Sequence, residues 1–271
     1  MPPLRKLWAF SLRDWQLAQT YRFTFLFEVV RTLILLLSFY FIGKLVRSSG
    51  VHPSLAVYGG DYFRFVLLGI VFSGFMSTAL GSVRQTIEFE RGHGTLEAIL
   101  LTPTPLITLV INKTLWDLGM VTAKAVLYLL AGVYFFRVDL SHVYWTSTLV
   151  AIALTVSTFF GLGLISAGIH LLIREDSPLD LILEGASRFL GGVYFPVAVL
   201  PAPLLALSRW VPLTYALDAI RKSMILGASL QTIRMELLVL AGCSIVLVPI
   251  GVICFQSAFK TARRRGILSF E

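Results

Sequence analysis

Long apolar runs closed off by basic residues set the pattern of this chain. Phe65 to Val83 is 19 uncharged residues between Arg64 and Arg84, and Leu237 to Phe259 is another 23. Val143 to Ile173 contains no Asp, Glu, Lys or Arg over 31 residues. Crossing the hydrocarbon core of a bilayer takes about 20 mostly apolar residues in a helix, so each run predicts a transmembrane span. Leu118 to Phe136 carries only Lys124, and Phe23 to Val46 holds Glu28 and Arg31 in its first turns. Leu179 to about Leu200 holds Glu184 and Arg188 before a clean apolar stretch. The pattern therefore predicts one all-α polytopic membrane domain over 1–271. Its six spans fall at 23–46, 65–84, 115–136, 145–173, 179–200 and 236–259.

The segments between runs have patterns of their own. In residues 1–22, Leu4, Leu7, Trp8, Leu12, Trp15 and Ala18 recur at helical spacing, with Arg5, Lys6 and Arg13 elsewhere. That spacing predicts an amphipathic helix lying in the membrane interface. The late start of the first apolar run, with no small-x-small site after it, predicts no cleavable signal peptide.

Composition sharpens this picture. The chain is 56% hydrophobic and 14% charged, with mean hydropathy +0.81, which is more apolar surface than a soluble core of this length buries. A soluble enzyme, a disulfide scaffold and a disordered chain are excluded. The net charge of +8 would suggest nucleic acid in a soluble protein. Here the basic residues bracket apolar runs, so they read as topology signals and lipid headgroup contacts. With both termini inside, twelve basic residues fall on the inner side and eight on the outer, which favours cytoplasmic termini in the cell (plasma or inner) membrane. Cys243 and Cys254 are too far apart along one helix for a disulfide and read as small apolar residues.

Catalytic and cofactor motifs are missing from the sequence. The four histidines stand apart, no cysteine pair has metal spacing, and there is no phosphate-binding loop. Two other segments are informative. Between the second and third spans, Gly92 and Gly94 break one helix, Thr95 can cap a new one, and Pro103 stops it after Thr102. The short helix between carries Leu96, Ile99 and Leu100 on one face, with Glu97 beside them and Glu88 and Glu90 just upstream. An apolar knob with acidic flanks at a membrane surface suits a groove in another protein. After the fifth span, Pro201, Pro203 and Pro212 cut the chain into pieces too short to cross, the last of them Leu213 to Leu226. Broken helices at membrane depth must be buried or line a cavity, and Tyr194, Phe195, Trp210 and Tyr215 are placed as interfacial aromatics. Glu184 and Arg188 are spaced to pair, and Glu28 and Arg31 can pair or reach the interface. Lys124 either faces a wet cavity, where it could meet an anionic substrate, or reaches back to the interface; the second is the simpler reading.

Together these residues resemble a family. Glu90 to Pro103, with its Gly94-Thr95-Leu96-Glu97 and a Thr-Pro after a leucine-rich turn, resembles the region after the second span of type-2 ATP-binding-cassette permeases. Gly191-Gly-Val-Tyr194-Phe195-Pro196, Leu200-Pro201, Trp210-Val-Pro212-Leu213-Thr-Tyr215 and Asp218-Ala-Ile-Arg221 resemble that family's stretch before the last span. The resemblance implies a non-catalytic, six-span exporter subunit, paired with a second permease and driven by two cytoplasmic ATPases that carry the ATP and magnesium. It implies a coupling helix at Thr95 to Leu101, with Glu88, Glu90 and Glu97 as polar contacts, and a second cytoplasmic contact at Arg174-Glu175-Asp176. It also implies two short re-entrant helices between about Leu200 and Leu226. Cargo would be hydrophobic or amphiphilic, a drug-like compound or lipid as in multidrug export: the Tyr-Phe-Pro and Val-Pro-Leu sequences look more like the drug and lipo-oligosaccharide branches than the O-antigen branch. Export of a lipid-linked glycan is the alternative within the family, and an ATP-independent channel or carrier is the alternative outside it.

Overall fold

The computed structural model describes residues 22–48, 53–94, 106–173 and 179–264. Every regular element among them is helical. In chain order these are α1 (Arg22–Ser48), α2 (Pro53–Ala56), α3 (Tyr62–Gly92), α4 (Leu106–Tyr134), α5 (Trp145–Ile173) and α6 (Leu179–Leu190). A 3₁₀ turn (Val197–Val199) follows, then α7 (Ala202–Ser208), α8 (Pro212–Ile225) and α9 (Arg234–Arg264). Five of them, α1, α3, α4, α5 and α9, are long and apolar enough to cross a membrane.

The region expected to form a fifth span over 179–200 differs. Its helix stops at Leu190 after 12 residues, about 18 Å, well short of the roughly 30 Å hydrocarbon core. The stop is chemical: Gly192 adopts φ +73, a left-handed conformation that residues with a Cβ avoid. Two short helices then form at α7 and α8, each entered through proline near its first turn.

Side-chain pairs give each helix a direction. Glu28 on α1 meets Lys124 on α4, and Tyr40 meets Phe136, so α1 and α4 run parallel. Along α3 and α6, Asp180 lies beside Arg84 and Arg188 beside Ser77, so these two are antiparallel. Thr158 on α5 bonds the Leu240 carbonyl on α9, and Gly168 approaches Phe255, so α5 and α9 are parallel. Thus α1, α4 and α6 point one way and α3, α5 and α9 the other. The chain must then return between α5 and α9, and α6 to α8 carry it from the Arg84 end of the bundle to the Arg221 end.

Packing follows the small residues. The most apolar window of α3 is 78% buried, against 11% for α1 and α9, so α3 is the hub. The α5–α9 seam is close enough that a Cβ on Gly251 would come within 2.4 Å of the Gly161 carbonyl. Lipid tails are as apolar as leucine, so such contact, rather than hydrophobic exclusion, is what holds helices together in a bilayer. Several hydroxyls inside the spans bond their own helix, as with Thr114 on the Val110 carbonyl and Thr155 on the Ala151 carbonyl.

Candidate functional site

A cavity of about 640 Å³ opens between α1, α3, α4 and α6. Five charged side chains line it: Glu28, Arg31, Lys124, Glu184 and Arg188. Lys124 faces this cavity and is ion-paired to Glu28 across 96 residues of sequence. Glu28 therefore pairs between helices and not with Arg31 along α1. Glu184 and Arg188 pair at 2.7 Å, as their spacing suggests. Ser77 on α3 ties both down, donating to Glu184 at 2.8 Å and accepting from Arg188 at 2.9 Å. Thr32, Ser38, Thr78 and Tyr128 add hydroxyls to the lining, while Ile34 and Leu35 keep the wall on the α1 side apolar.

A second polar cluster ties three helices together at the Arg84 end. Arg84 on α3 makes a two-pronged contact with Glu88, 2.7 Å to each oxygen, and also binds Asp180 on α6. Asp180, itself buried, accepts from Ser166 on α5, and His170 Nε2 lies 3.4 Å from Glu88. Guanidinium geometry suits this task, because its fork can satisfy two carboxylates at once. Glu90 is buried in the same turn of α3. The helix ends at Gly92 and Gly94 sits at φ +67, where the chain leaves for the acidic segment. Residues Thr95, Leu96, Glu97, Ile99, Leu100, Thr102 and Pro103 lie outside the described residues, as do Arg174, Glu175, Asp176 and the amphipathic start.

The third cluster caps the opposite end. Arg221 on α8 is buried, its guanidinium 3.4 Å from the centroid of the Phe65 ring and donating to the Phe65 and Val193 carbonyls at 3.2 Å each. Tyr58 donates to Asp218 at 2.9 Å, and burial together with Asp218 raises the tyrosine pKa. Lys222 bridges Asp218 at 2.9 Å and Glu236 at 2.6 Å. Room for this cluster is made by Gly69, where a Cβ would lie 2.2 Å from the Val193 carbonyl.

Of the aromatics and prolines singled out by pattern, Tyr194 stacks on Phe39 at 5.5 Å and Phe195 meets Phe189 edge-on at 5.2 Å. Tyr215 donates to the Arg209 carbonyl, Leu213 and Pro196 are buried, and Pro201 and Trp210 are exposed. Trp210 and Pro212 also line an apolar groove of about 570 Å³ against α9. Pattern alone missed Arg84, Ser77, Tyr58, Ser166, Asp180 and Glu236. Arg84 reads only as the end of an apolar run, and the others lack a local signature.

Apolar helices long enough to cross and a polar cavity between them fit a membrane transport component. The chain belongs to the ABC-2 type transporter family, whose model matches residues 5–225. It is 29% identical over 176 residues to nodulation protein J of Rhizobium leguminosarum bv. trifolii, covering 62% of this chain and 63% of that protein. It is 28% identical over 183 residues to nodulation protein J of Rhizobium meliloti (strain 1021), covering 66% and 68%. The matched stretch is thus a little under two thirds of the first relative's length. The membrane domain of this family is a transport component without catalysis of its own, and it typically pairs with an ATPase subunit.

Proposed function

We propose that this chain is the permease subunit of an ATP-driven exporter that moves an amphiphilic or hydrophobic substrate outward across the cell membrane. The observation that carries the reading is α6: Asp180 at one end joins Arg84 on the helix leading to the acidic segment, and Glu184 and Arg188 further along line the cavity. In this reading α6 with its broken continuation is the fifth of six crossings, and the Arg84 end faces the cytoplasm with both termini. Thr95 to Leu101 docks in a groove of a partner ATPase, with Glu88, Glu90 and Glu97 around it, and Arg174-Glu175-Asp176 makes a second contact. Two ATPases bind ATP and magnesium, and a second permease, identical or related, completes the pathway. Closure of the ATPases pushes the end of α3, and the Arg84–Asp180 tie passes that motion to α6 and the cavity. The stretch from about Leu200 to Leu226 dips in from the outer face and closes that side.

The test is purification of the chain with and without a candidate ATPase. Co-purification, with ATP hydrolysis stimulated by amphiphiles and lost on Leu96→Ala or Glu97→Lys, is the expected result. Transport that persists without any ATPase and ignores both substitutions would overturn the reading in favour of an ATP-independent carrier.

A further inference from the structure

We propose that the cavity between α1, α3, α4 and α6 recognises an anionic group on the polar head of an amphiphilic cargo, with Arg31 as the contacting cation. The proposal rests on the reading above that this cavity belongs to the transport path. Its lining holds three cations, Arg31, Lys124 and Arg188, against two acids, Glu28 and Glu184. Both acids are already engaged, Glu28 by Lys124 and Glu184 by Arg188 and Ser77. One positive charge is left over. Arg31 carries it: it lines the cavity from the third turn of α1, and no described carboxylate pairs with it. Arg188 adds a second unsatisfied donor, since its Nε is buried without a hydrogen-bond acceptor.

A cation without a counterion on an apolar helix, facing a cavity lined by other charges, is a candidate ligand contact. Guanidinium favours planar or tetrahedral oxyanions, so sulfate ester, phosphate and carboxylate share the required chemistry. The cavity is several times larger than such a group needs and falls in the range of drug-sized ligands. Its hydroxyls, from Thr32, Ser38, Thr78 and Tyr128, suit a head with further polar groups. The ligand class is completed by Ile34 and Leu35, exposed apolar residues of α1 at the rim, along which an alkyl chain can lie toward the bilayer.

The experiment uses the full chain in nanodiscs of phosphatidylcholine and two fluorescent probes with one alkyl chain. One probe ends in an uncharged disaccharide, the other in the same disaccharide carrying a sulfate ester. Binding is read by anisotropy without ATP, so failure of an ATPase to associate leaves this result standing, and the reverse also holds. The sulfated probe is expected to bind about tenfold tighter, as one charge-assisted contact supplies. Arg31→Gln should erase the ratio without changing affinity for the neutral probe, and Arg31→Lys should keep part of it. Lys124→Gln should also shrink the ratio, because the freed Glu28 then competes with the probe for Arg31. Equal affinities in the unmodified chain, or a ratio that survives Arg31→Gln, would overturn the proposal. In nanodiscs containing phosphatidylglycerol, a retained ratio supports cargo as the occupant. A lost ratio, with phosphatidylglycerol held in an Arg31-dependent way, overturns the assignment to cargo in favour of a bilayer lipid.

Discussion

Two arginines divide this molecule. Arg221, at one end of the bundle, is buried and meets two carbonyls, an aromatic face and a shell of Tyr58, Asp218, Lys222 and Glu236. Arg31, in the cavity wall, is exposed and meets no described carboxylate. Both are cations among apolar helices, so cost alone does not tell them apart. What differs is partnership: Arg221 is met on every side by groups of the protein, whereas Arg31 is left open to something outside the chain. A densely connected buried polar network rigidifies what it joins, and an unpaired ionisable group among apolar helices points to a ligand path. By that criterion the Arg221 end is the fixed cap and the cavity is the working face.

The largest effect expected from this contrast is at Arg221. Arg221→Ala should lower unfolding free energy by about 3 kcal/mol, because two carbonyls lose their donor in a buried site. Arg221→Lys should recover less than half, since an ammonium lacks the fork that reaches both. Thermal unfolding in detergent reads this, and an unchanged midpoint in Arg221→Ala would remove the cap from the argument. Next comes Gly69→Ala, expected to cost about 2 kcal/mol by forcing the Val193 carbonyl away. Its double mutant with Arg221→Ala should be less than additive, because both changes loosen one contact.

The tie at the opposite end should behave differently. Arg84→Gln and Asp180→Asn should each reduce stability by about 1 kcal/mol, near the upper range for polar contacts in bilayers. Amphiphile-stimulated ATP hydrolysis should fall much further in both, while basal hydrolysis by the partner persists. Equal losses of basal and stimulated rates would mean that the pair only holds the fold. The smallest effect should be at Arg31, where Arg31→Gln shifts stability by less than about 0.5 kcal/mol. A large loss there would erase the distinction between cap and working face.

The five long spans are legible in the sequence because their signal is local: about 20 apolar residues suffice, whatever packs against them. The failure at 179–200 is equally physical. Hydropathy averages across Gly191 and Gly192, whereas the backbone turns there. Pairing along one helix could also be read, as with Glu184 and Arg188, since the turn fixes the distance. Pairing between helices could not. Lys124 finds Glu28, and Arg84 finds Asp180, each across 96 positions, so neither partner has a mark in its own neighbourhood. Ser77 shows the same limit, being one small polar residue in an apolar run until the fold sets it between Glu184 and Arg188.

The glycine seam of α5 and α9 bears on how the subunit is made. Its halves are separated in sequence by α6, α7 and α8, so during synthesis α5 enters the bilayer well before its partner exists. Until α9 arrives, the notch at Gly161 faces lipid, and lipid tails fill such a notch less closely than a backbone does. A lesion in the seam would therefore surface first as poor assembly in the cell. Bulkier side chains at Gly161 or Gly251 should yield subunits cleared by quality-control proteases before any fault in transport could be measured.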